Sequence, residues 1–104
     1  MTKVYNKLVR DRIPEIIAAD GKKAVTRTLD DKEYLKELIK KLKEEAVEFE
    51  AEPSAEELAD LKELLIAIRE AMGLHAGELE DIRRQKAATR GRFKKKIFLE
   101  RVEG

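Results

Sequence analysis

The sequence predicts an all-α fold, an antiparallel helical hairpin or bundle completed by oligomerisation. Three observations support this class. Apolar residues make up 42% of the 104 residues but aromatic residues only 5%, so the core must consist mainly of aliphatic side chains. Charged residues reach 43%, a share typical of long amphipathic helices that finish their cores against another copy. Long stretches also place their apolar residues at helical spacing.

The first third of the chain is predicted to contain one short helix. Residues 2–12 carry four basic side chains and are predicted to form an arm or loop. Pro14 suits the first turn of a helix that runs through Ala19, and Asp20-Gly21 marks its end. Residues 25–29 are compatible with an extended strand-like backbone, and Asp30 or Asp31 is a suitable N-cap for the next helix.

Two long helices are predicted to follow. The first runs from Asp31 to Ala51. Its apolar positions are Leu35, Leu38, Ile39, Leu42, Ala46 and Phe49. Pro53 cannot continue a helix, and Ser54 starts the second helix, which ends at Gly73. The apolar face predicted for the second helix comprises Leu58, Leu61, Leu65, Ile68 and Met72. Because so few residues join them, the two helices must be antiparallel neighbours.

A last helix is predicted from His75 to Arg90, closed by Gly91. Phe93 and residues 97–102 are predicted to form a short strand or a docking tail. Residues 1–104 together have the length of one helical domain. The chain has no N-terminal apolar run that resembles a signal peptide and no stretch as long as a membrane span, so we expect a cytoplasmic protein without a membrane partner.

The composition limits the chemistry. With no cysteine and one histidine, His75, the chain has neither a thiolate metal site nor a cysteine nucleophile, whereas carboxylates suit Mg²⁺ or Mn²⁺. The net charge of +1 hides two opposite runs. Residues 44–63 contain nine acids and one base, and residues 83–96 contain eight bases and no acid. A metal-bound polyphosphate needs both kinds of surface, although each run alone is also compatible with a solvated helix face.

Two acidic pairs on the predicted hairpin carry the functional hypothesis. Glu45 with Glu48 and Glu57 with Asp60 stand three residues apart, so each pair shares a helix face. The helical projection turns Glu45 and Glu57 toward apolar stripes, and the stripe around Glu57 consists of Leu61, Leu64 and Ile68. Because buried carboxylates are costly unless they are paired or bind a metal, a divalent cation between the helices is indicated. Glu57 is equally compatible with a capping box to Ser54.

The same acidic spacing recurs at Glu78-x-x-Asp81 on the last helix, where we interpret it as structural. His75 follows a helix-terminating glycine and is interpreted as a surface or capping residue rather than a catalyst.

These motifs resemble the E-E-x-x-E and E-x-x-D signature of the MazG-like all-α NTP pyrophosphohydrolases, a group that includes phosphoribosyl-ATP pyrophosphohydrolases and dimeric dUTPases. The matching segments are residues 42–48 and residues 56–60. The opening residues 5–14 and the closing residues 86–99 resemble a small single-domain branch of that group, so the resemblance covers nearly the whole chain. Two features depart from it: the linker between the acidic pairs is short, and Arg92 stands where that branch often has a second glycine.

The resemblance implies Mg²⁺-dependent hydrolysis of a nucleoside triphosphate, or a related nucleotide, to a nucleoside monophosphate and pyrophosphate, as in the house-cleaning of nucleotide pools. The implied metal ligands are Glu45, Glu48, Glu57 and Asp60, and the implied catalytic residues are Glu44, Glu45 and Glu48, with Glu44 or Glu48 activating the water. The implied phosphate contacts are Lys7, Arg10, Arg12, Lys86 and Arg90. The expected cofactor is Mg²⁺ or Mn²⁺, and the expected assembly is a homodimer or homotetramer.

Two other functions remain open on the sequence. A nucleic-acid-binding helical module would use the basic residues 83–96, but the chain is near neutral overall and that run holds one aromatic residue, Phe93. A non-catalytic interaction module would leave every acid as surface decoration. An assay of nucleotide hydrolysis would distinguish an enzyme from either of these two modules.

Overall fold

The chain folds into four helices in the computed structural model, which describes residues 2–104. They are α1 (Ile13–Ala19), α2 (Asp31–Ala51), α3 (Ala55–Ala71) and α4 (Ala76–Arg90). The described residues contain no strand, so the predicted all-α class is confirmed, while residues 97–102 do not form the short strand that was one of two expectations for them. The chain divides into two compact units, one ending at Gly73 and one running from Leu74 to Gly104.

Helix α1 begins and ends where the sequence predicts. Pro14 lies in its first turn, where a missing backbone N–H costs nothing. After Ala19 the chain turns at Gly21, whose φ of 77° is in the left-handed region that glycine adopts readily. The Gly21 N–H donates to the Ala18 carbonyl over 3.0 Å, which satisfies one of the last carbonyls of the helix.

The helical hairpin of α2 and α3 is defined by its caps. Asp30 Oδ1 accepts a hydrogen bond of 2.8 Å from the Glu33 N–H and starts α2. Ser54 Oγ accepts one of 3.1 Å from the Glu57 N–H and starts α3, directly after Pro53. Gly73, with φ at 73°, follows the end of α3. Both long helices therefore have the boundaries that the sequence predicts to within two residues.

The core of the first unit lies between α2 and α3, which pack against each other. Leu38 on α2 and Leu64 on α3 are its buried residues, with 2% and 8% of their surfaces exposed. The predicted apolar face of α3 is partly wrong, because Leu61 and Ile68 are half-buried beside Leu64 whereas three other members point outward. Those three are Leu58, Leu65 and Met72, which expose 57%, 53% and 57% of their surfaces. They form a second apolar stripe, at seven-residue spacing, that α2 does not cover.

The second unit contains α4 and the C-terminal segment. The His75 N–H at the N-terminus of α4 donates to Glu78 Oε1 over 3.1 Å, so Glu78 has the capping role of a structural acid and His75 is the exposed N-cap residue. Gly91 ends the helix with φ at 83°. Among residues 2–104, no helix combines the length and apolar character that crossing a bilayer requires.

Candidate metal centre

Three of the four predicted metal ligands come together on the helical hairpin. Glu45 on α2 and Glu57 and Asp60 on α3 each offer a carboxylate oxygen, and these oxygens lie within 4.8 Å of one another. The hairpin brings them together because Glu45 lies near the end of α2, while Glu57 and Asp60 share one face of the first turns of α3. We call these three residues the carboxylate cluster. All three are half-buried.

Two oxygens of the carboxylate cluster are buried without a hydrogen-bond partner. They are Oε2 of Glu45 and Oε2 of Glu57, and no donor among the described residues reaches either atom. The capping-box alternative for Glu57 is therefore only half fulfilled: the Ser54 hydroxyl accepts from the Glu57 N–H, but the Glu57 carboxylate is part of the cluster. Buried carboxylate oxygens are costly unless a donor or a cation compensates them.

The surroundings of Glu45 disfavour its charge. Burial, followed by the negative charges of Glu48, Asp60 and Glu57, raises the pKa of the Glu45 carboxyl above its ordinary value. Three neighbouring carboxyls thus disfavour the charge of Glu45 in a partly dry site. Such a group either takes up a proton or is neutralised by a cation.

One base contacts the cluster directly. Arg10 Nη2 donates a hydrogen bond of 2.6 Å to Asp60 Oδ1, across 50 positions of sequence. The pair is partly open to solvent, with 57% of the Arg10 side chain and 42% of the Asp60 side chain exposed. The structure places the Arg10 guanidinium on Asp60, a predicted metal ligand, and the phosphate contact predicted for Arg10 stays a prediction. A single guanidinium leaves the cluster negatively charged.

The remaining acids of the prediction lie beside the cluster. Glu48 is exposed and does not belong to the group of three closely spaced oxygens, although its charge raises the pKa of Glu45. Glu44 is also exposed and lines a shallow depression. The other residues of that depression are Lys7, Leu8, Glu37, Lys40 and Lys41. The catalytic roles predicted for Glu44, Glu45 and Glu48 stay predictions.

The predicted phosphate contacts are distributed over both units. Lys7 lines the same depression as Glu44, and Arg12 forms an ion pair with Glu15 in the first turn of α1. Lys86 and Arg90 are exposed, four residues apart on α4, so they share one face of that helix. Their role in binding phosphate stays a prediction.

The cluster fits a hard divalent cation. Its donors are all carboxylate oxygens, which Mg²⁺ and Mn²⁺ prefer, and no cysteine or histidine belongs to it. Two of its oxygens lack any partner that a cation would have to displace. The third member, Asp60, is bonded to Arg10 through one oxygen. Glu45, Glu57 and Asp60 therefore suit Mg²⁺ by donor chemistry and by the unmet bonding capacity of buried atoms.

The comparisons with known proteins give little beyond this geometry. No protein-family model matches the chain, and no solved structure matches it. A stretch of 45 residues is 56% identical to an uncharacterized protein of Mycolicibacterium smegmatis. The stretch covers 43% of this chain and 46% of that protein, so the chain matches less than half of its relative's length. A functional interpretation therefore depends on the site itself.

The basic residues 83–96 are partly neutralised inside the second unit. Glu80 accepts hydrogen bonds from Arg83, the shortest 2.7 Å, and from Arg84 over 3.2 Å. The Arg83 hydrogen bonds, together with the charges of both arginines, lower the pKa of Glu80. Two of the eight bases are thus paired with an acid that precedes the run by three positions. The nucleic-acid interpretation of this basic run stays a prediction.

The Arg10–Asp60 contact is the site feature that sequence reasoning missed. An ion pair across 50 positions has no periodic signal, and Arg10 was predicted to contact phosphate together with Lys7 and Arg12. The charge distribution was the one signal for this contact, because the acidic hairpin attracts a basic segment of the same chain that can reach it.

Proposed function

We propose that this protein is a Mg²⁺-dependent nucleoside triphosphate pyrophosphohydrolase, which cleaves the α–β phosphoanhydride to give a nucleoside monophosphate and pyrophosphate. The observation that carries the proposal is the carboxylate cluster, in which Glu45 and Glu57 bury unpaired oxygens beside Asp60. The order of the acidic motifs along the chain and the basic arm before them support the same reaction, through the resemblance to MazG-like enzymes.

The metal would be held by Glu45, Glu57 and Asp60, with Glu48 as a fourth ligand from the adjoining turn of α2. A bound Mg²⁺ neutralises charge on phosphate oxygens and lowers the pKa of a coordinated water. The protein has no cysteine, so no thiol serves as a nucleophile. Water is the nucleophile of the proposed reaction.

The proposed hydrolysis is a single displacement at the α-phosphorus. The water oxygen bonds to the α-phosphorus, the bond from that phosphorus to the bridging oxygen breaks, and the bridging oxygen leaves with pyrophosphate. A carboxylate accepts the proton that the water gives up. We assign this role to Glu48 in preference to Glu44, because the charge of Glu48 acts on Glu45 whereas Glu44 lies among the lysines of the shallow depression.

The basic residues of the proposed site bind phosphate. Lys7, Arg10 and Arg12 belong to the arm that precedes α1, and Arg10 already contacts the carboxylate cluster. Lys86 and Arg90 on α4 stay phosphate-binding candidates through the resemblance alone. Arginine suits this task because its fork of donors matches phosphate oxygens.

A nucleotide panel tests the proposal. Purified protein is incubated with ordinary, deoxy and damaged nucleoside triphosphates, and pyrophosphate release is measured with Mg²⁺, with Mn²⁺ and with EDTA. We expect release from at least one nucleotide only when a divalent cation is present. Glu45→Gln should abolish it, while Glu56→Gln, which neutralises an exposed acid next to the cluster, should retain it. A fully active Glu45→Gln protein would exclude the proposed site.

A further inference from the structure

The arm before α1 is joined to the carboxylate cluster through Arg10. Its guanidinium donates to Asp60 Oδ1 over 2.6 Å, and both partners are accessible to solvent. The Arg10 carbonyl also accepts from the Ile13 N–H over 3.1 Å, so this residue connects the arm, α1 and α3. Release of the Arg10 side chain would therefore remove this contact between the arm and α3.

An exposed ion pair of this kind is weak and exchanges readily, because solvent screens the attraction and two long side chains lose freedom. A divalent cation on Asp60 would carry twice the charge of Arg10, and the two positive groups would repel at this distance. The buried oxygens of Glu45 and Glu57 add attraction for the cation that Arg10 does not match, since its hydrogen bond reaches Asp60. A divalent cation would therefore compete with Arg10 for Asp60.

We propose that Arg10 is an exchangeable counter-ion that couples metal binding to substrate binding. Without metal, its guanidinium neutralises Asp60 and holds the arm to α3. When a divalent cation occupies the cluster, Arg10 leaves Asp60 and becomes available to the phosphates of the substrate, for which its fork of donors is equally suited. This inference rests on the proposed function for the identity of the cation and of the phosphate ligand.

Side-chain NMR of the Arg10 guanidinium in the full chain tests the exchange of partners. Three states are compared: metal-free protein, protein with Mg²⁺, and protein with Mg²⁺ and inorganic tripolyphosphate as a probe without base or sugar. We expect the guanidinium resonances of Arg10 to shift toward those of a solvated arginine in the second state and to shift again in the third, when phosphate oxygens accept its hydrogen bonds. Arg10→Gln identifies these resonances, which should be absent from its spectrum.

Calorimetric titration with Mg²⁺ provides a second readout. Arg10→Gln should bind Mg²⁺ several-fold more tightly than the wild type, because no counter-ion has to be displaced. The matched control is Arg27→Gln, which removes the same charge from a pair with Glu33 outside the cluster and should leave the affinity unchanged.

The outcomes separate the two proposals. If the wild type binds Mg²⁺ and the resonances of the Arg10 guanidinium do not change, Arg10 stays on Asp60 and only the exchange proposal is wrong. If Arg10→Gln and Arg27→Gln bind Mg²⁺ with equal affinity, the exchange proposal is likewise wrong. If the wild type does not bind Mg²⁺ or Mn²⁺ at all, the cluster is not a metal site and both proposals are overturned.

Discussion

Glu45 on α2 and Glu57 on α3 face each other across the hairpin, and each buries its Oε2 atom without a hydrogen-bond donor. Two helices that are otherwise joined by leucine contacts thus hold repelling groups at one end of their interface. An unpaired carboxylate in such a place lowers the stability of the fold unless a cation compensates it. The first two predictions follow from this relationship.

Divalent cations are expected to stabilise the protein. Mg²⁺ or Mn²⁺ should raise the temperature of thermal unfolding, and EDTA should reverse the effect. A ligand present at 100 times its dissociation constant stabilises the native state by about 2.7 kcal/mol. Glu57→Gln and Asp60→Asn should lose this response, whereas Glu56→Gln, an exposed acid on the same helix, should keep it. A wild-type unfolding temperature that is insensitive to both cations would contradict the metal site.

Neutralising Glu45 is expected to stabilise the metal-free protein, or at least not to destabilise it. The pKa of Glu45 is raised in the folded state, so the folded protein binds its proton more tightly than the unfolded chain does. The contribution of the Glu45 carboxyl to the free energy of unfolding is fully present below the pKa that it has in the unfolded chain. It is lost as the pH rises through the higher pKa that it has in the folded protein. Because Glu45→Gln resembles the neutral acid, its stability relative to the wild type should increase as the pH rises through that window.

Urea unfolding of both proteins in EDTA, at several pH values, measures this difference. Glu63→Gln is the control, because Glu63 is an exposed acid of α3 whose charge is not among those acting on Glu45. A stability advantage that does not change with pH would mean that the Glu45 charge is not the cause. Added Mg²⁺ should reverse the ranking, since only the wild type keeps all three carboxylates of the cluster.

Local chemistry made most of the fold predictable. The side chains of Asp30 and Ser54 cap their helices, and Pro53 and Gly73 interrupt the chain, so the limits of α2 and α3 could be derived from neighbouring residues alone. The inward positions of Glu45 and Glu57 followed from helical geometry in the same way.

Features that depend on the rotation of one helix against another were less predictable. The periodicity placed both Leu58 and Leu64 of α3 in apolar stripes, yet only Leu64 is buried. A helix with two apolar stripes can pack against its neighbour with either one, so which stripe of α3 faces α2 depends on tertiary packing. The contact of Arg10 with Asp60 likewise depends on where the arm docks.

The N-cap of α3 is expected to contribute measurably to stability. Ser54→Ala removes the acceptor of the Glu57 N–H and should lower the free energy of unfolding by about 1 kcal/mol. Ser54→Thr keeps a hydroxyl and should lose much less. Both proteins are compared with the wild type by urea unfolding in EDTA, which separates the cap from metal binding. Equal stability of the alanine and threonine variants would show that the hydroxyl is not the stabilising group.

The apolar stripe of Leu58, Leu65 and Met72 on α3 is expected to mediate self-association. Residues seven positions apart almost align on a helix, and all three side chains are more than half exposed although they are large and apolar. Covering such a stripe with the same stripe, or with α2, of a second copy would remove apolar surface from water on both chains. This agrees with the assembly predicted from a composition rich in amphipathic helix formers.

Sedimentation velocity over a range of concentrations measures the assembly. The wild type should sediment as a dimer or larger species, and Leu65→Glu should shift it toward the monomer, because a charge in the middle of the buried stripe would lack a partner. Val25→Glu is the matched control, since Val25 is 87% exposed outside the helices and its substitution should leave the assembly intact. If Leu65→Glu assembles like the wild type, another surface joins the copies, and the stripe on α3 then needs a different explanation.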